Sequence, residues 1–274
     1  MGTTDLADRG IALVRVVAAV VCLSHAGYLL AHADVLAGLG RATPALGLPL
    51  GVPLAWAGVL LELAAAVALL VHRRTETACA VLVVLVTVAA LLYQWPDFYV
   101  VGGNEVTGHP GIELSVLLVA CLTTVRRGRG LGLVRIAAAV ILFLHGGEVL
   151  LRFDSAGMRG WGAQMEAAGF PFGVALVWSV VTVQAVGAVA LLVRRAVVPA
   201  CIAQVFVLAN GIWTTHAPYW FVVGPGRAPG RGWFAASGPD EGGMELSVLL
   251  IAALVAVVLS HYPQAPCSTP SSST

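Results

Sequence analysis

Two ionisable residues sit where ionisable residues are costly. Glu62 lies in the run AWAGVLLELAAAVALLV and His25 in VVAAVVCLSHAGYLLA, each with apolar neighbours on both sides. A lone carboxylate in such a run is expensive unless it is partnered or protonated. Either state suits a general acid or base, and imidazole is the other common proton carrier. Glu113, His145, Glu148 and Glu245 lie in or beside further apolar runs. With Glu62 and His25 they form the candidate catalytic set. Gln184, Trp95, Asp97, His216, Tyr219 and Trp220 are the candidate substrate-binding residues.

Each candidate has a plainer reading beside the chemical one. Glu113 follows Pro110, and Glu245 follows Gly242-Gly243. Both therefore also read as acids in the first turn of a helix, where the dipole stabilises them. His145 and Glu148 are three residues apart and share a helix face, as an imidazole oriented by a carboxylate would. His25 and His145 also read as haem ligands on facing helices or, more simply, as hydrogen-bonding groups inside a bundle. The E-x-x-H and H-x-x-E-H spacings of metal sites are absent, and no metal is expected. The aromatic stretches WPDFY (95–99) and YWF (219–221) read most simply as an interfacial belt. The five cysteines form no CxxC pair, which sets aside a catalytic dithiol.

The elements that must position these residues are membrane helices. Of 274 residues, 59% are hydrophobic and 11% charged, far from the roughly 25% charged of a water-soluble domain. The net charge of +1 leaves no nucleic-acid footprint. Apolar runs of spanning length fall at about 11–31, 53–71, 77–93, 109–125, 131–151, 172–193, 197–215 and 243–261. The predicted fold is an all-α integral membrane protein with eight transmembrane helices. Arg9, Arg15 and an apolar run ending Ala31-His32-Ala33 imitate a secretory signal, but the segment recurs mid-chain and is read as a retained helix.

The two halves match each other. Leu13-Val14-Arg15 recurs as Leu133-Val134-Arg135, VALLV occurs at 67–71 and 189–193, and ELSVLL occurs at 113–118 and 245–250. Cys79 pairs with Cys201 and Pro96 with Pro218. This is a duplicated four-helix unit, and an even number of spans per unit makes the two repeats parallel. The units are 1–125 and 131–262, joined by a basic linker at 126–130 and followed by a compositionally disordered tail at 263–274. Glu62 of the first unit aligns with Gln184 of the second, His25 with His145, and Tyr28 with Glu148.

Ten arginines, Arg9, Arg15, Arg73, Arg74, Arg126, Arg127, Arg129, Arg135, Arg194 and Arg195, fall on one side, and five fall on the other. The positive-inside bias predicts a multi-pass protein of the cell membrane with both termini cytoplasmic. The longer loops, at about 32–52, 94–108, 152–171 and 216–242, then face outward. At about 1.5 Å per residue, Glu62, Glu113 and His25 lie at or above the midplane of a layer about 30 Å thick. This predicts a polar pocket in the outer half of the bilayer.

These residues together resemble the DoxX family. The resemblance rests on an Arg in the first helix, His-x-Gly after it, a Glu inside the second helix, and Gly-x-Glu-Leu-Ser-Val-Leu-Leu opening the fourth. HAPYWFVVGP (216–225) followed by EGGMELSVLLIAAL (241–254) is its best stretch, and it covers nearly the whole chain, once per half. The resemblance implies that Glu62, Glu113 and Glu245 are the family's membrane carboxylates, with Gln184 a departure. It also implies, from those members that are membrane subunits of thiosulfate:quinone oxidoreductases, a quinone-linked redox subunit. No covalently bound cofactor is expected; quinone is the candidate ligand, and a soluble redox partner would supply the electrons. The alternatives are a cofactor-free cyclase or isomerase acting on a prenylated substrate with Glu62 as general acid, and a non-catalytic scaffold for a partner enzyme. A transporter ranks below these, because no pair of broken helices stands out.

Overall fold

The computed structural model describes residues 4–42, 50–94, 112–152, 155–167, 169–213 and 244–261, and all regular structure among them is helical. In chain order the elements are α1 (Thr4–Ala31), α2 (Ala33–Ala42), α3 (Gly51–Leu70), α4 (Thr75–Ala89), α5 (Glu113–Arg127), α6 (Gly132–Arg152), α7 (Ser155–Ala167), α8 (Gly173–Leu192), α9 (Val197–Gly211) and α10 (Glu245–His261). Four segments, Leu6–Ala31, Gly51–Leu70, Thr75–Leu92 and Gly173–Leu192, are long and apolar enough to cross a membrane. Gly132–Gly146, Val197–Gly211 and Glu245–His261 are shorter apolar helices. Large apolar side chains such as Leu60, Leu61, Val84, Val186, Ile202 and Phe206 face outward, as lipid-solvated helices require.

Packing is local along the chain and then closes across it. α1 packs on α3, α3 on α4 and α4 on α5; α6 packs on α8, α8 on α9 and α9 on α10. α1 also packs against α10, α5 against α6, and α5 against α10. The main core lies among these helices and includes Val14, Ala18, Leu69, Leu117, Val134, Leu142, Leu191 and Leu254. Gly10 allows the close α1–α10 approach, since a Cβ there would stand 3.0 Å from the Ala256 carbonyl oxygen.

The sharp turns carry a pattern of their own. The non-glycine residues with left-handed φ among the described residues are Leu50, His72, Arg74, Phe172, Arg194 and Ala196. They form three pairs, each 122 residues apart: Leu50 with Phe172, His72 with Arg194, and Arg74 with Ala196. The α3–α4 turn is closed by Val71 N–H donating to Val67 O at 3.0 Å and Arg73 N–H to Ala68 O at 2.8 Å. The α8–α9 turn repeats both bonds, Val193 to Val189 at 2.9 Å and Arg195 to Ala190 at 3.0 Å. Both α4 and α9 pass into a π turn, at 90–94 and at 212–213.

Two elements depart from the sequence reading. The predicted outer loops 32–52 and 152–171 contain helices, α2 and α7, which pack on α3 and α8. Their composition is too mixed and their length too short to register as apolar runs. Asp34 in the first turn of α2 and Arg41 in its last suit the helix dipole. Gly40 and Gly162 bring these helices against the next ones: a Cβ at Gly40 would lie 2.5 Å from Val52 Cα, and one at Gly162 2.6 Å from Val174 N. Glu166 of α7 caps α8 by accepting from Gly173 N–H at 2.9 Å. The first helix also begins at Thr4 rather than near residue 11, because the polar turn TDLADR continues the helix without a breaker.

Candidate functional site

α1 and α3 place His25 and Glu62 face to face. Nδ1 of His25 lies 2.9 Å from Oε1 and 2.9 Å from Oε2 of Glu62. An ionised carboxylate only accepts, so with Glu62 charged the hydrogen sits on Nδ1 and bisects the two oxygens. The side chains are 14% and 12% exposed, so the bond is made away from bulk water, where it is stronger than at a surface. A charged carboxylate that fixes the imidazole through Nδ1 sets its tautomer and orientation.

The pair lies on a seam in the packing. One turn toward the start of α1, Cys22 belongs to the main core, as do Ala65 and Ala66 on the far side of Glu62. Ala26, Tyr28 and Leu29 of α1, Leu36 of α2 and Val59 of α3 form a separate cluster on the other side, with Trp56 and Leu63 against it. The two polar groups are thus clamped between a helix bundle and a smaller apolar cap built by α2. Tyr28 stacks on His32, with ring centroids 4.2 Å apart, and His32 Nδ1–H donates to the Tyr28 carbonyl at 2.9 Å.

At the corresponding position of the second half an amide stands in place of the acid. Gln184 is buried in α8, and a Cβ on Gly146 of α6 would lie 3.4 Å from Gln184 Cβ, so His145 and Gln184 occupy neighbouring helices at one level. Gln204 of α9 is fully buried and donates through Nε2 to the carbonyls of Val183 at 2.9 Å and Gln184 at 3.0 Å. Its Oε1 has no partner among the described residues. Gly187 makes room for this amide, since a Cβ there would stand 2.4 Å from Gln204 Nε2. Positions 65 and 82, which correspond to 187 and 204 at the 122-residue offset, are Ala and Leu.

No protein-family model, curated protein or solved structure matches the chain.

Of the candidate residues, His25 and Glu62 are brought into direct contact. Glu113 and Glu245 are the first residues of α5 and α10, and both are buried. Glu148 lies in α6, but its side chain is outside those described. Trp95, Asp97, His216, Tyr219 and Trp220 lie outside the described residues. Among the described residues no group of three His, Cys, Asp or Glu side chains is placed to hold a metal ion.

Two polar side chains were missed. Gln204 stands in ACIAQVFVL, where a single amide amid apolar neighbours is itself the signal. Arg135, counted only as a charge at the membrane edge, is buried and donates to the carbonyls of Leu191 and Leu192, closing the end of α8.

Proposed function

We infer that this chain is an integral membrane protein of eight spanning helices, and that its first half handles protons for a quinone in a redox reaction. The eight are α1, α3, α4, α5, α6, α8, α9 and α10, with α2 and α7 lying outside the spans. The repeated left-handed positions at 122-residue spacing and the matching helix neighbours in the two halves support two four-helix units, and the sequence motifs alone underlie our reading of them as DoxX-like. On that arrangement the arginine bias puts both termini on the cytoplasmic side of the cell membrane.

The observation that carries the functional reading is the buried His25–Glu62 bond. Quinone reduction takes up two electrons and two protons. The electrons come from a partner that holds its own redox group, and the protons need a donor inside the apolar layer. His25 is that donor. Glu62 orients the ring and stabilises the imidazolium before the proton is given up. The cyclase reading fits less well, because it asks Glu62 to present an acid to a substrate while both of its oxygens are turned to His25 Nδ1.

Mass spectrometry of the small molecules that co-purify with the detergent-extracted protein tests this. The expected result is a quinone in the wild type, reduced or lost in His25→Ala. A prenylated metabolite with no quinone selects the cyclase reading; an extract free of both, together with no quinone-dependent activity, removes the redox reading.

A further inference from the structure

Along α1 and α3 the His25–Glu62 pair meets titratable groups in one direction, while the buried acids Glu113 and Glu245 head α5 and α10, two other helices packed on α1. Toward the start of α1 the sequence from Val16 to Ser24 contains no acid or base beyond the Cys22 thiol, and Ala18, Ala19, Val21 and Cys22 are buried. On α3 the next two turns present Ala65, Ala66 and Leu69, also buried. Toward the end of α1 the same face carries Tyr28 and then His32, and Asp34 opens α2. Exposure rises along this face: Tyr28 is 8% exposed, His32 half-buried and Asp34 exposed.

His32 is held in a manner suited to carrying protons. It is the residue between α1 and α2, one past the end of the apolar segment Leu6–Ala31, so it stands at the edge of the apolar layer. Its Nδ1 is committed to the Tyr28 carbonyl and its ring to the Tyr28 ring. That leaves Nε2 as the ring atom open to exchange with water, in an imidazole fixed in one orientation. His25 and His32 are seven residues apart, about two turns or roughly 10 Å along the axis.

The second half keeps an acid at the position of Asp34, as Asp154, but not the aromatic or the imidazole. At the 120-residue offset that relates His25 to His145, Tyr28 becomes Glu148 and His32 becomes Arg152. Arginine stays protonated and cannot relay. The half that keeps the buried carboxylate is therefore also the half that keeps an imidazole at the layer's edge.

We propose that His32 is the proton-collecting residue of the His25–Glu62 pair, taking protons from water at the α1–α2 junction and passing them inward, with Tyr28 holding it in place. One proton enters at Nε2 of His32 for each one delivered to the pair, and no electron moves in this step. The proposal rests on reading the pair as an acid–base site, but it does not depend on which ligand the pair serves.

The test uses full-length protein labelled with 15N-histidine, without added ligand. The measured quantity is the rate at which the His25 Nδ1 hydrogen exchanges with water. His32→Ala is expected to slow this exchange by about tenfold or more, the low end of what a positioned proton carrier contributes. Free imidazole should then restore it, whereas imidazole cannot repair a structural defect. Tyr28→Phe keeps the ring stack and should exchange as wild type. Exchange unchanged in His32→Ala, or slowed and not restored by imidazole, overturns the proposal. The His25 Nδ1 resonance reports whether the pair survives; if His32→Ala shifts it, His32→Gln takes the same measurement. Loss of the quinone reading alone would leave this result unaffected.

Discussion

Nδ1 of His25 is equidistant from the two carboxylate oxygens of Glu62, at 2.9 Å from each. The two partners are therefore unequal in what their loss does. Glu62→Gln keeps the volume and an acceptor but removes the charge that stabilises the imidazolium. On the proposed quinone function, proton-linked turnover should fall about a hundredfold or more, while the melting temperature changes little. His25→Ala leaves a buried carboxylate without this partner, which costs about 3–5 kcal/mol when a buried pair is broken. Parallel thermal denaturation in detergent should rank His25→Ala well below Glu62→Gln.

Gly187 and Gln204 should behave as one unit. A methyl at 187 displaces the Gln204 amide from the α8 carbonyls it bonds. Two hydrogen bonds of about 1 kcal/mol each are then at risk, so Gly187→Ala should cost about 1–2 kcal/mol. In a Gln204→Ala background the same substitution should cost much less. A double-mutant cycle on unfolding free energy measures the difference, and strict additivity would refute the contact.

Gly40 sets how closely α2 lies on α3, and the contact is with backbone, which cannot turn aside as a flexible side chain can. Gly40→Ala should lift α2 and loosen the apolar cap around Trp56, at a cost of about 1–3 kcal/mol for overpacking. The expected readout is a lower melting temperature together with a shift in tryptophan emission. The shift should be absent when Trp56 is replaced by Phe.

Arg135 closes α8 with its guanidinium, so Arg135→Leu should expose unmet carbonyls at a cost of about 1–3 kcal/mol. Both bonds leave one nitrogen, Nη1, so Arg135→Lys, whose ammonium is also a multiple donor on a shorter stem, should recover part of that. Thermal denaturation of the three proteins side by side decides this.

Much of the helix plan could be read from sequence, because long apolar runs such as Gly51–Leu70 and Gly173–Leu192 leave few alternatives. α2 and α7 could not, since a short helix with polar residues on one face resembles a loop in composition. The chemistry was legible as residue types: a Glu and a His in apolar runs on different helices. That they meet is a matter of helix rotation, which hydropathy does not encode. Glu113 and Glu245 illustrate the same limit, for position at a helix start was readable but burial was not. Gln204 was passed over because it does not ionise, although its placement depends on a glycine in another helix. Arg135 was read as a topology marker, and only the packing of α6 on α8 gives it a structural task.

The contact of α1 with α10 has its counterpart in that of α6 with α5, so each half offers the other the same two helices. On the proposed two-repeat arrangement, this is the pairing that a twofold homodimer interface would have, here made within one chain. Two identical chains would be bound to carry the same residue on both sides of such an interface. A single chain is not, and position 62 can keep an acid while position 184 holds an amide. Joining the halves thus gives evolution two addresses to edit where an assembly of identical subunits has one.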